Sequence, residues 1–388
     1  MTVRRLLLPL LAAAGLAACS SLPSVNPMDW FGNKPSGPKP AELPVLTNAQ
    51  GVRVLWSSSI GAAEAFVFSP TLNGDSVYAA SRAGTVARLE AASGQARWRI
   101  SLGKRISGGV GSDGALVVVA SDDGEVFALD ARDGAVKWRA RVSSEVLAAP
   151  KLGEGLVLVR SADSRIFAFG AEDGKRRWVY QRPAASLIVR SPAGLTIHMG
   201  AAYAGFSGGR LVAITLANGS ARWEATVALP KGATELERVT DIVGDPAALG
   251  REVCAAAYQG RVACYDGQNG NQLWARDMST LTGVSFDARY AFISDDKGAV
   301  HALDRSNGRS IWKQDRLAHR QLSLPLPLGT EVALGDLQGQ IHFLARESGA
   351  FLARFATDGS AVRAAPVKLP DGFLVQTQNG GLYALTLN

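Results

Sequence analysis

The stretch Gly124-Glu125-Val126-Phe127-Ala128-Leu129-Asp130-Ala131-Arg132-Asp133-Gly134-Ala135-Val136-Lys137-Trp138 decides the fold, because its frame recurs about every forty residues. The frame is a Gly, an aliphatic residue two positions on, a turn pair ending in Gly near the middle, and Trp fourteen positions after the start. It runs again from Gly84 to Trp98, Gly209 to Trp223, Gly260 to Trp274 and Gly298 to Trp312. Two copies are degenerate: Ser164 opens one that closes at Trp178, and Gly339 opens one that closes at Ala353. An eighth opens at Gly380 and stops at Asn388, while its closing Trp56 lies near the other end, after Val52-Arg53-Val54-Leu55. Eight openings and eight closing positions describe a ring.

Within one unit, alternating apolar residues separated by turns read as short strands at 115–121, 125–130 and 136–142, with 145–150 opening the next unit. Asp122-Asp123-Gly124 and Asp133-Gly134 supply the tight turns. Pro70, Pro150, Pro192, Pro246, Pro327 and Pro366 are expected to end the first strands, since Pro cannot donate to a ladder. A four-stranded sheet that is apolar on both faces must stack against neighbours, which predicts an all-β, eight-bladed propeller of antiparallel blades. Trp56, Trp98, Trp138, Trp178, Trp223, Trp274 and Trp312 would pack between successive blades. The strand around Trp56 would complete the sheet formed by 361–387, closing the ring by pairing the chain ends and hiding two open edges.

Residues 1–18 have the form of a bacterial export signal: Arg4-Arg5, the apolar run 6–16, then small residues. Leu16-Ala17-Ala18-Cys19 matches a lipoprotein processing site, with Cys19 as the lipidated first residue; the alternative is an ordinary signal peptide that leaves Cys19 a free thiol. Ser20 follows, where Asp would favour the inner membrane, so outer-membrane anchoring facing the periplasm is expected. Residues 19–45 are Pro-rich and aperiodic, an extended tether, which leaves 46–388 for the propeller. No later segment approaches the roughly 18 continuous apolar residues of a membrane span.

The net charge of +7 becomes +5 without Arg4 and Arg5, and the basic residues are scattered, which argues against a nucleic-acid partner. Cys254 and Cys264 lie on the arms of a hairpin turning near Gln259-Gly260. A three-residue loop would set them face to face, where an oxidising compartment permits a disulfide; a two-residue loop would point them to opposite faces.

Catalytic signatures do not stand out. His301 and His342 occupy one repeat position, filled elsewhere by Phe127, Phe167 and Tyr383, and no His or Cys pair has metal-ligand spacing, so neither a metal nor a cofactor is expected. No Gly-x-Ser-x-Gly elbow or phosphate-cradling Gly loop occurs. The irregularity lies in repeat length: the gaps from Trp178 to Gly209 and from Trp223 to Gly260 are longer than the rest. Insertions in an array fall in loops, and these two lie in consecutive units. The first holds Ser186-Leu187-Ile188-Val189-Arg190-Ser191-Pro192 and the second Thr234-Glu235-Leu236-Glu237-Arg238-Val239-Thr240-Asp241. An apolar cluster flanked by Arg beside a mixed-charge loop suits a protein-binding patch; the plainer reading has Leu187 and Val189 beginning an inner strand.

On these residues the chain resembles the BamB family, the lipoprotein propellers of the β-barrel assembly machinery of Gram-negative outer membranes. Ala128-Leu129-Asp130 with Asp133-Gly134 and Trp138 is shared with all quinoprotein-like propellers, whereas Leu187-x-Val189-Arg190, 234–241 and Ala318-His319-Arg320 look like the family's own loops. The resemblance implies a non-enzymatic scaffold that binds the periplasmic domains of the barrel-forming subunit BamA, meets the other assembly lipoproteins indirectly, and helps deliver unfolded outer-membrane clients. It implies contacts from a Leu-x-Leu-Arg loop, here Leu187, Val189 and Arg190, and from an Asp-x-Asp loop that begins at Asp241 and has Val243 at its second acidic position. Glu235 and Arg238 stand on the same second loop. Other outcomes are a scaffold for another envelope complex, or a pyrroloquinoline-quinone dehydrogenase, a class that typically carries adjacent Cys residues absent from this chain.

Overall fold

The computed structural model describes residues 38–183 and 187–388. The export signal, Cys19 and most of the tether lie outside these residues. The chain forms eight four-stranded antiparallel sheets, and no helix occurs among the described residues. We number the blades from the one that begins at Thr71–Asn73; blade 2 comprises Ile106–Ser112, Leu116–Ser121, Glu125–Asp130 and Val136–Arg141. Blades 3 to 7 follow in order, opening at Lys151–Gly153, Leu195–His198, Ile242–Leu249, Ser285–Phe286 and Leu326–Leu328. Blade 8 takes three strands from the C-terminal end and its fourth, Val52–Ser59, from the N-terminal side; Val52 pairs with Leu387 and Ser59 with Gly381 around a bulge between Val54 and Trp56.

Eight apolar clusters fill the eight junctions between blades, so each sheet buries both faces against its neighbours. The junction of blades 1 and 2, for example, joins Tyr78 and Val86 to Val117, Phe127 and Leu129. The Trp residues lock these junctions in one repeated way. Trp56 Nε1 donates to the carbonyl of Ala91 in the next blade at 2.8 Å, and Trp98, Trp138, Trp178, Trp223, Trp274 and Trp312 do the same to Ala131, Ala171, Leu216, Gly267, Arg305 and Arg346. A buried indole N–H thereby finds its acceptor. The ring lies flat on the Gly of the next blade's last turn: a Cβ on Gly94, whose φ is +69°, would stand 2.4 Å from Trp56 Cε3. The turn therefore needs Gly both for its backbone and for the indole's approach.

This arrangement explains the degenerate seventh repeat. Blade 8 has no turn between its last two strands, because the fourth strand comes from the N-terminal side of the chain. The turn Gly on which the indole lies in the other junctions has no counterpart there, and buried Ala353 stands in place of the Trp. Phe343 and Phe373 fill the junction instead, edge to face with centroids 5.5 Å apart.

Two expectations need correction. The prolines precede or sit inside the first strands instead of ending them: Pro70, Pro150 and Pro366 stand immediately before Thr71–Asn73, Lys151–Gly153 and Val367–Leu369, and 145–150 is not a strand. Pro lacks an N–H and fits where the chain enters the ladder as well as where it leaves. The tether also stops short of residue 45, since the compact unit begins at Pro40. Pro44 is buried and Leu43 packs on the cluster around Trp312 and Leu317.

Candidate functional site

Every blade runs its strands in the same sense, so all connections from a last strand to the next first strand lie on one face of the ring. The two long ones, 182–194 and 227–241, are neighbours there. Leu187 to Arg190 form no strand; the first strand of blade 4 begins only at Leu195, so the segment is free to project.

Asp241 holds it from below. This side chain is 6% exposed, and its carboxylate accepts the backbone N–H of Val189 at 2.6 Å and that of Gly208 at 3.3 Å. Burial raises the Asp241 carboxyl above the usual range, while the two N–H donors and the charge of Arg160 pull the other way. Burial likewise pushes Arg160 down to about 10, opposed by Asp245 and Asp241, so it stays charged at neutral pH. Arg160 donates to the Gly194 carbonyl at 3.2 Å, and Asp245 accepts the Gly194 N–H at 2.9 Å and Lys151 Nζ at 2.6 Å. The first long connection is thus pinned by polar side chains at Val189 and at Gly194.

Above this frame, Leu187 and Ile188 are each 41% exposed. Arg190 reaches across the mouth of the ring, pairing with Glu145 at 2.8 Å and lying 5.1 Å over the Phe66 ring. Val189 and Arg190 line a cavity of about 430 Å³ with Phe66, Leu281 and Leu322.

Of the residues expected at the site, Leu187, Val189 and Arg190 stand together at the surface. Asp241 joins them as a buried support, a correction to its expected place in the contact surface: both carboxylate oxygens face backbone N–H groups. Glu235 and Arg238 do not line the cavity. Arg238 caps its own loop at the Gly232 carbonyl, and Glu237 accepts the N–H groups of Ala233 and Thr234. Val243 is 1% exposed and belongs to the core; the second acid that reaches the first loop, beside Asp241, is Asp245. The sequence does not single out Asp245, Arg160, Glu145 and Phe66, because partners 34 to 124 residues from the loop residues they meet leave no local pattern. Cys254 and Cys264 lie directly opposite each other across a three-residue loop, with Cα atoms 4.0 Å apart and the sulfurs bonded.

The family pattern described as "Outer membrane protein assembly factor BamB" matches residues 82–314. The outer membrane protein assembly factor BamB of Bordetella pertussis is 42% identical over 375 residues, 96% of this chain and 97% of that protein. The crystal structure of BamB from Moraxella catarrhalis superposes with a TM-score of 0.80 at 26% identity, over 87% of this chain and all of that one. A quinohemoprotein alcohol dehydrogenase from Pseudomonas putida, 14% identical, reaches a TM-score of 0.70 over 88% of this chain and 77% of its own, a likeness of fold alone. With a family pattern over more than half the chain and a relative matched nearly end to end, this protein belongs to the BamB family of outer membrane protein assembly factors.

Proposed function

We propose that this protein is a non-enzymatic scaffold of outer-membrane protein assembly that binds the periplasmic domains of a BamA-like barrel-forming subunit through the surface at Leu187, Val189 and Arg190. It would be anchored to the outer membrane by lipid on Cys19 and face the periplasm, meet other assembly lipoproteins indirectly, and stand near unfolded clients. The observation that carries this reading is an exposed apolar pair, Leu187 and Ile188, on a loop pinned from beneath by Asp241. A loop already held loses little further entropy on binding. Each apolar side chain, once covered, contributes roughly 1.5–3 kcal/mol. Arg190 is more than half exposed, and its pairing with Glu145 uses one amino group, so the rest of the guanidinium can meet a partner carboxylate or carbonyl.

The test is binding to the immobilised periplasmic domains of the barrel-forming subunit. Leu187→Asp is expected to weaken binding by roughly 10- to 100-fold, matching the loss of one buried side chain, while Arg238→Ala stays near the parent. Equal binding by Leu187→Asp and the parent would rule this surface out. Mass spectrometry of the mature chain checks the anchor, which fails if Cys19 carries no acyl group.

A further inference from the structure

Ala318-His319-Arg320 has no part in that account, yet it is built at a cost. His319 and Gln321 adopt φ of +59° and +49°, a conformation that L-residues rarely take, and between them Arg320 is turned inward to 2% exposure. Arg320 Nε donates to Asp336 at 2.6 Å and Nη2 to Gln338 at 2.7 Å. Its third group, Nη1, donates at 2.8 Å to the carbonyl of Ala41, almost 280 residues earlier. The Ala41 N–H in turn reaches the Ala318 carbonyl at 2.8 Å. Leu43 packs against the cluster of Trp312, Leu317 and Leu322, Arg354 donates to the Pro44 carbonyl at 3.1 Å, and the Gln50 N–H to the Leu352 carbonyl at 2.9 Å. Without residues 40–45, a buried guanidinium would lack one acceptor, which is costly for a charged donor.

The path has a direction. Residues 315–325 link a last strand to the next first strand, so Ala41 sits on the face that carries 187–190. Leu352 lies near the start of Phe351–Ala356, toward the opposite face, so residues 41–50 descend the outer edge of blade 7.

We propose that residues 40–45 form a strap seated in a dedicated site of blades 6 and 7, and that it fixes where the N-terminal tether leaves the ring: on the face bearing Leu187 and Arg190. The orienting effect rests on the lipid anchor proposed above. About 20 residues separate Cys19 from the strap, and a Pro-rich chain of that length spans roughly 60 Å at ~3.1 Å per residue, so the exit point biases which face is held near the bilayer.

Two measurements on the full lipidated protein test this. In hydrogen exchange, the amides of Ala41 and Gln50 are expected to exchange at least about tenfold more slowly than free chain. The double variant Ala41→Pro/Leu43→Asp is expected to lose the protection at Gln50 and leave blade amides unchanged. Free exchange at Ala41 in the parent would overturn the strap. On phosphatidylethanolamine–phosphatidylglycerol vesicles with spin-labelled headgroups, a fluorophore on Leu236→Cys, on the insertion face, is expected to be quenched more than one on Glu172→Cys, on an opposite-face turn. The double variant is expected to abolish that difference. Equal quenching in the parent, or a difference the variant leaves intact, would overturn the orienting role. Failure to bind vesicles at all would remove the anchor and the orientation together, while Ala41 exchange still decides the strap.

Discussion

Asp241 in the second long connection accepts a 2.6 Å hydrogen bond from the backbone N–H of Val189 in the first, so a buried carboxylate of one loop sets the height of the other. Asp241→Ala leaves the Val189 and Gly208 N–H groups without this acceptor, and we expect a loss of about 1–3 kcal/mol in denaturant unfolding, with faster exchange at both amides. Asp241→Asn keeps one acceptor and should lose less. Parent-like protection of Val189 in Asp241→Ala would show that the loop is held otherwise.

Ala353→Trp restores the repeat's own residue at the wrong junction. No turn Gly awaits it in blade 8, and Phe343 and Phe373 already fill the space. The substitution should therefore destabilise by about 1–3 kcal/mol through overpacking, measured by thermal unfolding; a gain in stability would contradict the account of the closing junction.

His342 is fully buried, donates from Nε2 to Asp336 at 2.9 Å, and is held below its ordinary pKa first by burial and then by the nearby Arg354 and Arg320 charges, against the pull of Asp336. Below the ordinary histidine range the unfolded chain takes up a proton that the folded ring does not, so stability falls as pH drops through about 6.5. The slope is at most about 1.4 kcal/mol per pH unit from this one group. His342→Phe, the residue type other repeats use here, should remove that component in unfolding measured from pH 7 to 5.

Thiol titration of unfolded, unreduced protein should find neither Cys254 nor Cys264 free. Reduction should cost about 3 kcal/mol by loop entropy for so short a closed loop, read as a lower denaturant midpoint; two free thiols would contradict the pairing.

Much of the ring was legible because a Gly opening, a turn Gly and a Trp fourteen positions after the opening are local signals, and Trp56 without its own opening announced the closure. The first strands were misjudged because three-residue strands such as Lys151–Gly153 are too short to show alternation, and Pro marks either end equally well. The exposed part of the candidate surface, Leu187 to Arg190, was visible as an insertion. Its foundation was not: Arg160, Asp245 and Glu145 reach it from other blades, and Arg238, three residues before Asp241, turns to its own loop. Residues 40–45 looked like tether because Pro-rich composition does not reveal that Arg320 and Arg354 wait for their carbonyls.

The measurement that bears most directly on the central claim is affinity purification of the detergent-solubilised lipoprotein beside a folded Arg190→Glu variant, with co-purifying proteins identified by mass spectrometry. Arg190→Glu replaces the exposed cation, whose Nη2 now meets Glu145 at 2.8 Å, with a carboxylate that repels it. The account predicts that the barrel-forming assembly subunit accompanies the parent and is lost from the variant; its absence from both, or its equal presence in both, would contradict it.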